Sequence, residues 1–104
     1  MTKKPDIDSE GYLVEPADWT EDLAREFARE EDIDLTGEHW VAINFMRDYQ
    51  AEHQTSPDAR FVIKHLSKTT GASRNRLFEL FPYGYVQQAC KIAGMKRPRA
   101  WSTG

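Results

Sequence analysis

One side chain in this 104-residue sequence can act as a sulfur nucleophile, and that is Cys90, the sole cysteine. It lies in QQACKIAGMKRPRAWSTG, just before a basic stretch with Lys91, Lys96, Arg97 and Arg99. Nearby cations lower a thiol's pKa, and the thiolate is the form that attacks and accepts sulfur. On that ground Cys90 is a nucleophile or sulfur acceptor with a depressed pKa. The opposite reading also stands. Cys90 sits between Ala89 and Ile92 on an apolar helical face, and unpaired cysteines are among the most buried residue types. One thiol forms no internal disulfide, makes no multi-cysteine zinc site, and needs an external thiol to complete any exchange.

A second group of residues could bind an anionic polymer. ARFVIKHLSKTTGASRNRLFELF (59–81) reads as helix, short Gly-containing turn, helix. Arg74, Asn75 and Arg76 would open the second helix, where Arg suits guanine edges and Asn adenine, with Lys64 and Lys68 on phosphates. Against this, helix pairs of this kind are common in small helical domains, and Leu77, Phe78, Leu80 and Phe81 suit a core. His39, His53 and His65 have no HxxH or HxxxH spacing, so neither metal nor cofactor is expected. No Gly-rich phosphate loop is present.

The elements that must position these residues are mostly helical. The composition, 39% hydrophobic and 30% charged, suits one globular domain with one core. Ser9-Glu10-Gly11 followed by Tyr12-Leu13-Val14 predicts a short N-terminal β-arm or hairpin. Asp18 as N-cap, with Glu21 completing a capping box, predicts a helix over 18–30. Thr36 caps a central helix running to about His53, whose wide apolar face implies burial on more than one side. Ser56 as cap and Pro57 in first position predict a helix to about Thr69. Ser73 caps a brief helix, Pro82 and Gly84 break it, and a last helix from Tyr85 closes at Gly94. The fold class is thus mostly α, with about five helices. The expected organisation is a loose N-terminus (1–6), a helical domain (7–94) and an extended C-terminal arm (95–104).

Charge is divided along the chain. Residues 1–59 hold 5 basic against 16 acidic side chains, and residues 60–104 hold 9 against Glu79 alone. A chain so polarised either complements itself or offers a basic face to an anionic partner. No apolar run is long enough to span a membrane. MTKKPDIDSEGY carries no apolar signal core, so a cytoplasmic location is expected.

Several words of the sequence resemble one family. GYL (11–13), Asp18-Trp19, LTGEHWVAINFMRDY (35–49), Pro57 and Arg60, LFPYG (80–84) and QACKIAG (88–94) are similar to the DsrC/TusE sulfur-relay proteins, over about residues 7–98. The resemblance implies a compact helical domain with a small N-terminal hairpin and a C-terminal arm whose penultimate cysteine carries persulfide. It implies partners too: a TusBCD- or DsrEFH-like sulfur donor, and a sulfite-reductase-like or tRNA-thiolation acceptor. Cys90 falls at the family's helix cysteine. The arm position eleven residues later is Trp101, and Ala100-Trp101 stands where Gly-Cys is the family pattern. The persulfide-carrying residue is therefore not carried over. Lys96, Arg97, Arg99 and Trp101 remain as a partner-docking arm. Three readings follow: an accessory sulfur-relay protein acting through Cys90 or through docking, a regulatory DNA-binding protein, and an inert module that occupies a partner's site.

Overall fold

The computed structural model describes residues 6–95, the Val86 side chain excepted. Its elements are a 3-10 turn at Pro16–Asp18, α1 (Glu21–Glu30), α2 (Gly37–His53), α3 (Ala59–Thr70), α4 (Arg76–Leu80) and α5 (Tyr85–Cys90). α5 is wound as a π-helix, and helical backbone continues to Ile92.

α2 is the axis of the molecule. Its Ala42, Ile43 and Met46 are fully buried, and they share one core with Ala24 and Phe27 of α1, Val62 and Leu66 of α3, and Leu77 of α4. Ala89, Cys90, Ile92, Ala93 and Met95 complete it. Met95, assigned by sequence to the start of the arm, is thus packed inside. The mostly helical class and the five helices are as the sequence implied.

The helix starts differ in detail. Asp18 is not the cap of α1: the 3-10 turn ends there, and Thr20 Oγ1 accepts the Leu23 N–H at 3.1 Å. Glu15, not Asp18, caps that first turn, so the capping box read from Asp18 and Glu21 does not form. α3 likewise begins two residues later than Ser56-Pro57 suggests. Asp58 caps it by accepting the Arg60 N–H at 2.8 Å, and Pro57 is buried ahead of the helix. α4 starts after Asn75 rather than Ser73. The N-terminal hairpin is reduced, among the described residues, to one antiparallel bridge between Ile7 and Leu13. Asp8 and Gly11 close its turn, the Gly11 N–H donating to the Asp8 carbonyl at 3.0 Å.

Gly94 ends the last helix as expected. With φ at +75°, it lets the Met95 N–H reach the Cys90 carbonyl at 2.8 Å, while its own N–H reaches that of Lys91 at 3.1 Å. This pair of bonds is a Schellman closure, which a left-handed residue at this position permits.

Candidate functional site

The site is the last helix and what holds it. Two loops of chain converge on it: the corner Leu80–Gly84 that precedes it and the Trp19 segment that precedes α1.

The corner is fixed by two buried polar side chains. His39, on the first turn of α2, accepts the Thr36 N–H on Nδ1 at 3.0 Å. Its Nε2 then carries the proton and donates to the Leu80 carbonyl at 2.8 Å, and the ring meets Phe81 edge-on at 5.2 Å. Burial holds this imidazole neutral by lowering its pKa, although the bond to Leu80 works the other way. Gln88, fully buried, accepts the Tyr83 N–H on Oε1 at 2.9 Å and donates to Glu31 Oε1 at 3.1 Å. The corner is thereby tied to the end of α1. Outside these anchors it presents Tyr83, 73% exposed, and α4 presents Phe78, 48% exposed. Phe78 was expected in the core. On so short a helix, Leu77 and Leu80 take the inward positions and turn Phe78 outward.

The far end of the last helix is held by Trp19 and Arg47. Trp19 Nε1 donates to the Ile92 carbonyl at 2.9 Å, and Arg47 donates to the Ala93 carbonyl at 3.2 Å. The Arg47 guanidinium also lies over the Trp19 ring, 4.4 Å from its centroid. Cationic and N–H donors at a helix C-terminus satisfy carbonyls that the helix itself leaves open. Gly94 lies against the Trp19 side chain, so this clamp closes on the end of the last helix.

Cys90 sits between the two anchored ends with 0% exposure. Burial pushes its thiol up to about 12, only partly offset by a hydrogen bond with the Tyr85 hydroxyl. Tyr85 donates that hydroxyl to the Pro57 carbonyl at 2.6 Å. The expectation of a depressed thiol pKa is therefore overturned, and the reason is geometric. Lys91 follows Cys90 in sequence, yet its ammonium turns away to Glu31 at 3.9 Å and to the face of Tyr12 at 5.4 Å. A thiol held that far above its ordinary range stays protonated at neutral pH. The sulfur is enclosed by the core and presents no surface to solvent.

The remaining predicted residues fall as follows. Lys64, Lys68, Arg74 and Asn75 are exposed. Arg76 is engaged: both Glu38 carboxylate oxygens accept from its Nε at 3.0 Å, and Glu79 accepts at 3.1 Å. These bonds raise the Arg76 pKa and lower that of Glu38. α4 has five residues, little more than one turn, so the helix that would read a groove is barely formed. Lys96, Arg97, Arg99 and Trp101 lie outside the described residues. Among the described residues no group of three or more His, Cys, Asp or Glu is placed to hold a metal ion, and no helix is long and apolar enough to cross a membrane. Sequence reasoning missed Tyr85, Gln88 and Arg47 as site residues. Trp19, like Arg47 and Gln88, stood only inside a family word.

Comparisons with known proteins agree with this architecture. Residues 1–100 match the family model described as DsrC like protein. The chain is 42% identical to the sulfurtransferase TusE of Buchnera aphidicola over 101 residues, covering 94% of this chain and 89% of that one. It is 40% identical to Escherichia coli TusE, covering 92% of this chain and 91% of that one. Among solved structures it resembles the oxidized gamma-subunit of dissimilatory sulfite reductase (DsrC) from Archaeoglobus fulgidus. That match has a TM-score of 0.83 at 33% identity, over 92% of this chain and 90% of that one. The solution structure of Allochromatium vinosum DsrC matches with a TM-score of 0.75 at 38% identity, over 88% and 85% of the two chains.

Proposed function

The chain belongs to the DsrC-like family, and from that premise we propose that it serves a sulfur-relay system by docking to its sulfurtransferase or sulfite-reductase-like partners, with Cys90 kept out of the exchange in the closed domain. The observation that carries this reading is the burial of the only thiol, at 0% exposure with its pKa pushed up to about 12. A carrier must offer a thiolate to a donor's persulfide, and this domain offers none.

What the domain does offer is shape. His39, Gln88, Trp19 and Arg47 fix the corner and the point where the chain leaves the last helix. The exposed Tyr83 is an aromatic of the type that anchors interfaces. Lys96, Arg97, Arg99 and Trp101 are assigned to docking on their residue types alone, as a basic stretch closed by an aromatic. The likeness to TusE and DsrC supports a partner within sulfur relay, and the proposal takes a TusBCD- or DsrEFH-like donor and a sulfite-reductase-like or tRNA-thiolation acceptor as those partners.

The test is intact-mass analysis after exposure to a persulfide donor, on wild type and Cys90→Ala. No gain in the folded wild type, with a gain of about 32 Da after denaturation as persulfidation of one thiol requires, is the expected result. A gain of one sulfur on the native wild type, absent from Cys90→Ala, would refute the docking-only reading and make Cys90 the carrier.

A further inference from the structure

The outer face of α2 and α3 carries a pattern that the sulfur-relay reading does not use. Phe45, Tyr49 and His53 follow one another at four-residue intervals on α2, and Phe61 and His65 do so on α3. The two columns meet: Phe45 stacks on His65 at 4.4 Å, and Tyr49 packs against Phe61 at 5.9 Å. Position 45 is therefore level with 65 and position 49 with 61, so the helices run antiparallel with an aromatic seam between them. The seam is not sealed. Phe61 is 46% exposed, His53 is exposed, and the other three rings are half-buried.

Each side of the seam is bordered by charge of one sign. On α2 the exposed Asp48 and Glu52 stand one residue before Tyr49 and His53, on the solvent side. On α3 the exposed Arg60, Lys64 and Lys68 recur every fourth residue, and α3 contains no acid. Arg60 pairs locally with Asp58 at 3.3 Å. No ion pair joins the two ridges among the described residues. Ring faces in the seam are spent on each other (Phe45 and His65 lie 17° from parallel), which leaves edges rather than flat platforms. Stacking of nucleobases requires such platforms.

An acidic ridge, an apolar groove and a basic ridge, in that order, form a self-complementary surface. A second copy turned by half a revolution about an axis parallel to the helices lays its α3 over this α2, and its α2 over this α3. Levels along the seam are preserved by that rotation, so Asp48 of each copy falls between Arg60 and Lys64 of the other, and with Arg60 held by Asp58 its partner is Lys64. The four helices then pack as an antiparallel bundle around the aromatic seam. We propose that this face is the contact surface of a symmetric homodimer, with a second copy of this chain as its occupant.

Sedimentation equilibrium of the full chain over a concentration series reaching millimolar tests it. The expected species has twice the 12.0 kDa chain mass. Lys64→Glu alone and Asp48→Lys alone each place like charges opposite one another, and each weakens association about tenfold or more. An equimolar mixture of the two variants restores both pairs and recovers the dimer, which also shows that neither variant is misfolded. A chain that stays monomeric throughout overturns the proposal. So does a dimer indifferent to both reversals, or a mixture no tighter than its components. Binding of an RNA oligonucleotide of ten uridines that is lost with Lys64→Glu, without self-association, would assign the face to nucleic acid and overturn it equally.

Discussion

Gly94 and Gly71 form a controlled pair. Both have φ at +75°, and both follow a helix. A Cβ at Gly71 would meet nothing within 4 Å, whereas a Cβ at Gly94 would lie 2.4 Å from Trp19 Cδ1, 2.8 Å from Cγ and 2.9 Å from Cβ. The left-handed backbone penalises any Cβ by about 1–2 kcal/mol, so Gly71→Ala reads that contribution alone. Gly94→Ala adds the displacement of Trp19. Losing the indole bond to Ile92 removes about 1 kcal/mol. Losing the stack with Arg47 removes about 0.5–1 kcal/mol, and crowding of the packed ring adds about 1–3 kcal/mol. The excess of Gly94→Ala over Gly71→Ala is then about 2.5–5 kcal/mol, near 10–40 °C in Tm at roughly 4–8 °C per kcal/mol for a domain of this size. Urea unfolding of both variants measures it. In a Trp19→Ala background the excess falls, because the contacts with the indole ring, its bond to Ile92 and its stack with Arg47 are gone and only the contact with Cβ at 2.9 Å remains. Equal destabilisation by the two alanines, within about 0.5 kcal/mol as additivity errors run, would refute the clamp on the end of the last helix.

Three further outcomes are expected. Tyr85→Phe removes the hydroxyl that donates to the Pro57 carbonyl. It destabilises by about 1–3 kcal/mol, as an unpaired buried acceptor does, without making Cys90 available to a thiol reagent, which Ellman titration of the folded variant checks. His39 has a folded-state pKa below its ordinary 6.5, so the unfolded chain binds the proton more readily. Its contribution to stability is complete above about pH 6.5 and is lost as pH falls below that value; chemical unfolding between pH 7.5 and 5, in about half-unit steps across the histidine range, shows a decline that His39→Gln diminishes. Thr20→Ala leaves the Leu23 N–H without its side-chain acceptor and lowers stability by about 1 kcal/mol, whereas Asp18→Ala, which caps nothing here, changes it by less than about 0.5 kcal/mol.

Long-period features were legible and short-range competition was not. Thr36 and His53 bound α2 because seventeen residues of apolar spacing outweigh any local ambiguity. Gly94 was readable as a stop because only a left-handed residue lets the chain turn there. Asp18 and Ser56 failed as caps because each has a rival two residues on, in Thr20 and Asp58, and cap preference alone does not choose between them. The Cys90 microenvironment failed for another reason. Sequence places Lys91 beside the thiol, but adjacent positions on a helix face directions about 100° apart. The cation therefore goes to Glu31 and Tyr12 while the thiol enters the core. Likewise Arg47 and Gln88 reach partners 46 and 57 positions away. No spacing rule brings such residues together before the fold is known.

The buried polar residues around the last helix bear on function as a set. Apolar residues of similar size would fill the same space with less desolvation, and a buried polar group contributes only when every partner is in place. His39, Gln88 and Tyr85 each find theirs on the main chain of another segment: Leu80, Tyr83 and Pro57. Bonds of that kind select one arrangement of the corner rather than merely a compact one. A domain that used Cys90 chemically would need this frame to open, and every bond in it resists opening. The proposed docking role, with Tyr83 presented to a partner, is compatible with a closed frame. The frame is complete and the thiol has 0% exposure, which fits that proposal better than sulfur carriage on Cys90.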